Sequence, residues 1–220
     1  MSESADKVTP HKGKLLVLTP GLGAVSTTFM AGVESIRRGL AKPIGSVTQM
    51  QTIRLGKRSA NRFPKIKDVV DMAPLEDLVF GAWDVFADDA YDAAVRAKVL
   101  RPDTLDPLAE FMHGIKPMKA AFDKRYVKRL DGPNVKASKS KLELAEALRA
   151  DIRDKIAETG ADRAVMVWCG STEIFTRPTA VHATVDAFEK GLQDDDPAIS
   201  SSQLYAYAAL KEGLAYANGA

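Results

Sequence analysis

The chain has 220 residues, 45% of them hydrophobic, enough to bury a sizeable core in one large domain or two small ones. A formal net charge of +2 supplies no global field toward nucleic acid or another acidic partner, so any charged ligand must be held locally. The single cysteine, Cys169, excludes an internal disulfide framework, the three histidines are too scattered for a zinc site, and no apolar run reaches the roughly 18 residues of a membrane span. The polar start, MSESADKVTPHKGK, lacks the apolar core of a secretory signal. These features predict a cytoplasmic protein with no metal, nucleic-acid or membrane partner, loose over residues 1–13 and folded over 14–220.

The first element is a strand over 15–18, followed by Gly21, Gly23 and a helix whose apolar stripe is Met30, Val33, Ile36 and Leu40. Strand, glycine loop and helix in this order suit a phosphate: Gly21 for a tight turn, Gly23 for close backbone approach, and small Ser26 where a dinucleotide fingerprint has its third glycine. The amides opening the helix would face the phosphates. The same glycines could also form a plain turn. The acid that usually follows to hold a ribose is missing, because no Asp or Glu occurs between Ser35 and Lys67.

Residues 42–67 read as an extended loop with one strand. Arg37, Arg38, Lys42, Arg54, Lys57, Arg58, Arg62, Lys65 and Lys67 form a run without an acid between them. A solvated face or subunit contact is the plain reading, a phosphate loop the sharper one. A nucleic-acid patch is disfavoured, since Phe63 is the run's only aromatic. A second unit begins with a strand over 78–83 and places Asp84 at its carboxyl end, where ligands of open α/β sheets collect; a helix is expected over 88–100. Asp84 would accept hydrogen bonds from a ligand; the plain readings are a helix cap or a surface carboxylate.

Leu142, Ala145, Leu148, Ile152 and Ile156 predict an amphipathic helix over 138–159 closed by Gly160, then a buried strand over 164–168. That strand ends in Cys169, Gly170, Ser171, Thr172 and Glu173, a small, hydroxyl-rich turn able to offer donors to a ligand. With no histidine near in sequence, Cys169 reads as a small wall residue rather than a nucleophile. Helices are expected over 179–192 and 202–211, with Asp194, Asp195 and Asp196 in a solvated turn. Alternation of elements predicts an α/β fold with a mostly parallel sheet flanked by helices. Asn218-Gly219 is a turn signal with nothing after it, as if the chain were cut within a domain.

The segments GLGAVSTT, TQMQTIRLGKR, LVFGAWDVF, IKPMKAAFDKRYVKRLDGPNV, DRAVMVWCGSTE and SSSQLYAYAALKEGLAYANGA, in this order, resemble the myo-inositol-phosphate synthase family. The resemblance implies a Rossmann-like sheet, incomplete at the C-terminus, that supplies the NAD-binding part of a cytoplasmic isomerase. That enzyme turns glucose 6-phosphate into an inositol phosphate, serves inositol and phospholipid biosynthesis, and is a homo-oligomer, a tetramer in the family. It further implies that Gly21, Leu22, Gly23, Ala24, Val25, Ser26 and Thr27 cradle the pyrophosphate and that Asp84 holds the adenosine ribose. Cys169, Gly170, Ser171 and Thr172 would line the cofactor. Another cofactor contact is implied near Lys116 and Pro117, though Ala120 stands where some members have serine. The active-site lysines are expected beyond Ala220, so Lys116, Lys119 and Lys211 are not promoted in their place and the 220 residues alone would be catalytically incomplete. Two alternatives stay open: a non-catalytic dinucleotide module, and another NAD(P)-linked oxidoreductase whose basic run 37–67 holds a 2′-phosphate.

Overall fold

A computed structural model describes residues 12–219. The looseness expected for residues 1–13 therefore falls almost wholly outside the described span. The strands are β1 (Leu15–Pro20), β2 (Leu78–Asp84), β3 (Met118–Lys119), β4 (Arg163–Trp168) and β5 (Ala215–Asn218). The helices are α1 (Ala24–Arg37), α2 (Val47–Met50), α3 (Ala90–Ala97), α4 (Pro102–Leu105), α5 (Ala109–His113), α6 (Lys141–Thr159), α7 (Val185–Gln193) and α8 (Ser201–Lys211). All strand pairs are parallel, in the order β3-β2-β1-β4-β5. This is the Rossmann-like sheet expected, and the order reverses between β1 and β4. Such a reversal opens a crevice beyond the carboxyl ends of the strands.

Successive residues of a strand face opposite sides, so a parallel sheet covered on both faces needs continuous apolar runs. Leu16 and Leu18 of β1 join Trp83, Met166, Ala145, Leu148, Ile152, Leu204 and Tyr205 on one face. Val17 joins Phe80, Ala82, Met30, Val33, Ala90 and Ala94 on the other. The register aligns Pro20 with Trp83 and Leu18 with Met166, which brings the ends of β1, β2 and β4 side by side.

Several expected boundaries shift for local reasons. The helix expected over 88–100 is confined to α3, because Asp89 caps its start and Lys98 takes a left-handed conformation after it. The stretch 179–192 divides into a 3-10 turn at Ala180–His182 and α7, with the Thr184 hydroxyl capping the latter. Leu40 lies beyond α1 and is exposed rather than part of its buried stripe. Residues 42–67 contain α2 and a lone antiparallel bridge between Thr52 and Lys65, not a strand. Gly160 closes α6 in the left-handed region, as expected. The acidic turn is more than solvated: the Asp195 carboxylate accepts from the Lys141 amide, and the buried Lys141 ammonium donates to the carbonyls of Asp196 and Ile199. Asn218-Gly219 ends β5. Among the described residues no helix is long and apolar enough to cross a membrane.

Candidate functional site

The glycine loop is stitched to both neighbouring strands where β1 ends. The Gly21 amide donates to the Trp83 carbonyl at 2.8 Å, and the Cys169 amide donates to the Pro20 carbonyl at 2.9 Å. Gly21 has φ +94°, and a Cβ there would lie 2.6 Å from the backbone of Gly170. Only glycine satisfies both the conformation and the approach of the two loops. Gly170 is crowded in turn, since its Cβ would meet the Trp168 ring at 2.8 Å.

Gly23 differs from Gly21. Its backbone is extended (φ −97°, ψ −155°), and nothing stands within 4 Å of where a Cβ would point. It is the N-cap of α1, which has no side-chain cap and no acid in its first turn. The amides of a 14-residue helix thus open onto space that a side chain at Gly23 would fill. This is the arrangement that attracts anions, through unpaired donors and the positive end of the helix dipole.

Asp84 ends β2 and faces this loop. Its Oδ2 accepts from the Leu22 amide at 2.6 Å and its Oδ1 from the Phe86 amide at 2.9 Å. The carboxylate therefore anchors the loop, and its remaining lone pairs are available to hydroxyl donors. Of the readings open from sequence, the helix cap falls to Asp89 rather than Asp84.

A cavity of about 330 Å³ lies over the ends of β1, β2 and β4. Gly21, Leu22, Gly23, Ala24, Asp84, Cys169, Gly170 and Ser171 line it. Val25, Ser26, Thr27 and Thr172 do not. Val25 is exposed. Ser26 and Thr27 are buried beneath the loop, with the Ser26 hydroxyl donating to the Gly21 carbonyl at 2.5 Å and the Thr27 hydroxyl to the Gly23 carbonyl at 2.9 Å. Ser26 thus fulfils the packing role expected for the third position. Ala120 forms part of the wall, while Lys116 and Lys119 are exposed outside it. None of the lysines and arginines of 37–67 lines the cavity. Arg37 and Arg38 instead pair with Glu34 and donate to carbonyls of Leu75 and Pro107.

Other lining residues, apart from Glu173 in the turn after β4, were not singled out from sequence. Phe86, Asp88 and Arg96 border the β2 side; Glu173 and Tyr205 border the β4 side. Glu173 accepts from the amide and hydroxyl of Ser202, which ties the loop after β4 to α8. The Tyr205 hydroxyl accepts from the Ala121 amide at 3.0 Å, and burial pushes its ionisation well above the ordinary value of 10.0, so it stays protonated. Asn134 braces the end of β2: its side chain donates to the Asp84 carbonyl and its amide to that of Val85, each at 2.9 Å. The Gly132-Pro133-Asn134 turn was a readable signal, because a Cβ at Gly132 would sit 2.2 Å from the Val85 carbonyl oxygen.

Comparisons with known proteins identify the family and the fold. A family model described as myo-inositol-1-phosphate synthase matches residues 15–220. Inositol-3-phosphate synthase 1 of Bacteroides thetaiotaomicron is 43% identical over 216 residues, covering 97% of this chain and 50% of that protein. The protein of the same name from Oryza sativa is 31% identical, covering 97% of this chain and 45% of its own. The crystal structure of inositol-3-phosphate synthase from Caenorhabditis elegans superposes with a TM-score of 0.87 at 28% identity, over 94% of this chain and 44% of that one. The chain spans about half the length of the relatives it matches. With a parallel sheet, a glycine loop and a family model matching residues 15–220, the chain belongs to the myo-inositol-1-phosphate synthase family, as its N-terminal NAD-binding part.

Proposed function

We propose that this chain holds NAD for an isomerase that converts glucose 6-phosphate to an inositol phosphate. The observation that carries the cofactor reading is the uncapped start of α1 beside the open space at Gly23, with the Asp84 carboxylate across the same cavity. Gly21, Leu22, Gly23 and Ala24 would cradle the pyrophosphate, while Val25, Ser26 and Thr27 belong to the helix start that supports them. Asp84 would hold the adenosine ribose through its free lone pairs, taking the place of the acid missing after α1. Cys169, Gly170, Ser171 and Thr172 form the turn that would run along the cofactor. When bound, NAD supplies a hydride acceptor that later returns the hydride, which makes an internal redox isomerisation possible.

The residues of this chain bind and orient; proton transfer is assigned to none of them. The lysines expected to move protons and to hold phosphate would belong to the part of the relatives that this chain does not span. A homo-oligomer in the reducing cytoplasm is the setting proposed for the whole enzyme, and it suits the free thiol of Cys169.

Amide resonances of the chain followed during addition of NAD test the placement. Shifts concentrated at 21–24, 84–86 and 169–171 support it. Shifts confined to the basic stretch 37–67, with the glycine loop unmoved, overturn it.

A further inference from the structure

Arg96 is the one cationic side chain lining the cavity among the described residues. It projects from α3, the helix that follows β2, so it stands on the same side of the cavity as Asp84. Its guanidinium lies over the Phe86 ring, 4.8 Å from the centroid, and is paired with the Asp88 carboxylate. Asp88 and Phe86 line the cavity as well. Both members of the pair are part-exposed, with side-chain accessibilities of 48% for Arg96 and 35% for Asp88, so either can reach a ligand in the cleft.

We propose that the Asp88–Arg96 pair sets the choice between dinucleotides at this site, by engaging the one cation that could accept a 2′-phosphate. The inference rests on the reading of the cavity as a dinucleotide site. If Asp84 accepts from the ribose hydroxyls, a phosphate at the 2′ position comes to lie beside Asp84 and toward α3. Two carboxylates, Asp84 and Asp88, face it there. A phosphomonoester carries between one and two negative charges near neutral pH, so each carboxylate opposes it. An arginine in this place would ordinarily reverse the preference, since its planar fork matches phosphate oxygens with two parallel donors. Here Asp88 takes the Nη2 donor of that fork and Phe86 lies against the guanidinium plane. The phosphate must therefore displace the Asp88 carboxylate before it can take both donors of the fork. An unphosphorylated ribose asks nothing of Arg96 and meets only the Asp84 acceptor. The basic run 37–67, expected from sequence as the place for a 2′-phosphate, contributes no residue to the cavity.

The test is calorimetric titration of the wild-type chain, Asp88→Asn and Asp88→Asn/Arg96→Ala with NAD and with NADP at one salt concentration. Wild type is expected to prefer NAD. In Asp88→Asn the ratio of NAD to NADP affinity should fall roughly tenfold or more, the size of one charge-assisted hydrogen bond from Arg96 to the 2′-phosphate. Adding Arg96→Ala should restore most of the preference, because the freed guanidinium is what the phosphate uses. An unchanged ratio in Asp88→Asn, with NAD still bound, overturns the inference alone. A lowered ratio that persists in the double variant also overturns it, since loss of repulsion would then suffice without Arg96. No NAD binding by wild type brings down the cofactor reading and this inference together. Because Asp88 is part-exposed and precedes the α3 cap, a Ser at this position serves as a second variant if Asn lowers the yield.

Discussion

Replacing Asp84 by Asn tests whether one carboxylate both anchors the glycine loop and serves the ligand. The side chain keeps its shape but offers one acceptor where the structure uses two, at 2.6 Å from the Leu22 amide and 2.9 Å from the Phe86 amide. One of these part-buried amides must then face an NH2 group. Losing a hydrogen bond to a charged acceptor, with its donor left unpaired, costs about 1–3 kcal/mol. For a domain of this size each kcal/mol lowers the melting temperature by about 2–4 °C, so a loss of about 2 kcal/mol predicts a fall of about 4–8 °C without ligand. The ribose hydrogen bond adds a separate penalty of about 1.5–3 kcal/mol on NAD binding, roughly a 10- to 150-fold weaker affinity. Thermal unfolding of the free chain and calorimetric titration with NAD separate the two effects. Wild-type melting together with wild-type affinity would refute the reasoning at both points. Lost affinity with unchanged melting would refute the anchoring role alone.

The two loop glycines should respond in opposite ways. Gly23→Val meets open space, so its stability cost should be about 1 kcal/mol, that of a poorer N-cap, while NAD binding is lost. Normal titration by that variant would show that the phosphate does not lie there. Gly21→Ala combines φ +94° with a 2.6 Å approach to Gly170 and should destabilise by about 3 kcal/mol or more, read as a lower urea midpoint. A midpoint equal to wild type would mean that the two loops can separate at no cost. Burial pushes the Lys141 ammonium below its ordinary 10.5, with the Arg125 charge adding to the effect. The unfolded chain then binds this proton more tightly, so the Lys141 contribution to stability is least favourable below its lowered folded pKa and improves as pH rises from there toward 10.5. Lys141→Met removes the titrating group, so wild type should gain on this variant across that window in urea unfolding; a difference that does not vary with pH would contradict the burial.

What could be read from the residues, and what could not, divides along the range of the interactions. β1, β2 and β4 are continuous apolar runs because both faces of a parallel sheet are covered, and β1 and β4 are followed by small residues while β2 ends in an acid, so strands and ligand-facing ends were legible together. Asp84 was legible by position, as the acid at a strand's carboxyl end. Its grip on the Leu22 amide was not, since that hydrogen bond joins residues 62 apart. β3 and β5 were missed because strands of two and four residues carry too little pattern to separate from a loop. The division of 179–192 was available in Thr184, a good N-cap followed by Val185 and Asp186, but it was obscured by the helix-forming residues beyond. The basic run 37–67 shows the opposite difficulty. Its charge is conspicuous in sequence, and only the fold reveals that none of it borders the cavity. Arg96 is one basic residue in an ordinary amphipathic helix, and its importance comes from Asp88 and Phe86 meeting it at the mouth of the site.

Calorimetric titration of the 220-residue chain with NAD, run beside Gly23→Val, tests the central claim most directly. Saturable binding of one NAD per chain by wild type, absent from Gly23→Val while that variant still unfolds cooperatively within about 4 °C of wild type, is the predicted result. Equal binding by both proteins, or none by a folded wild type, would contradict a cofactor site at the start of α1.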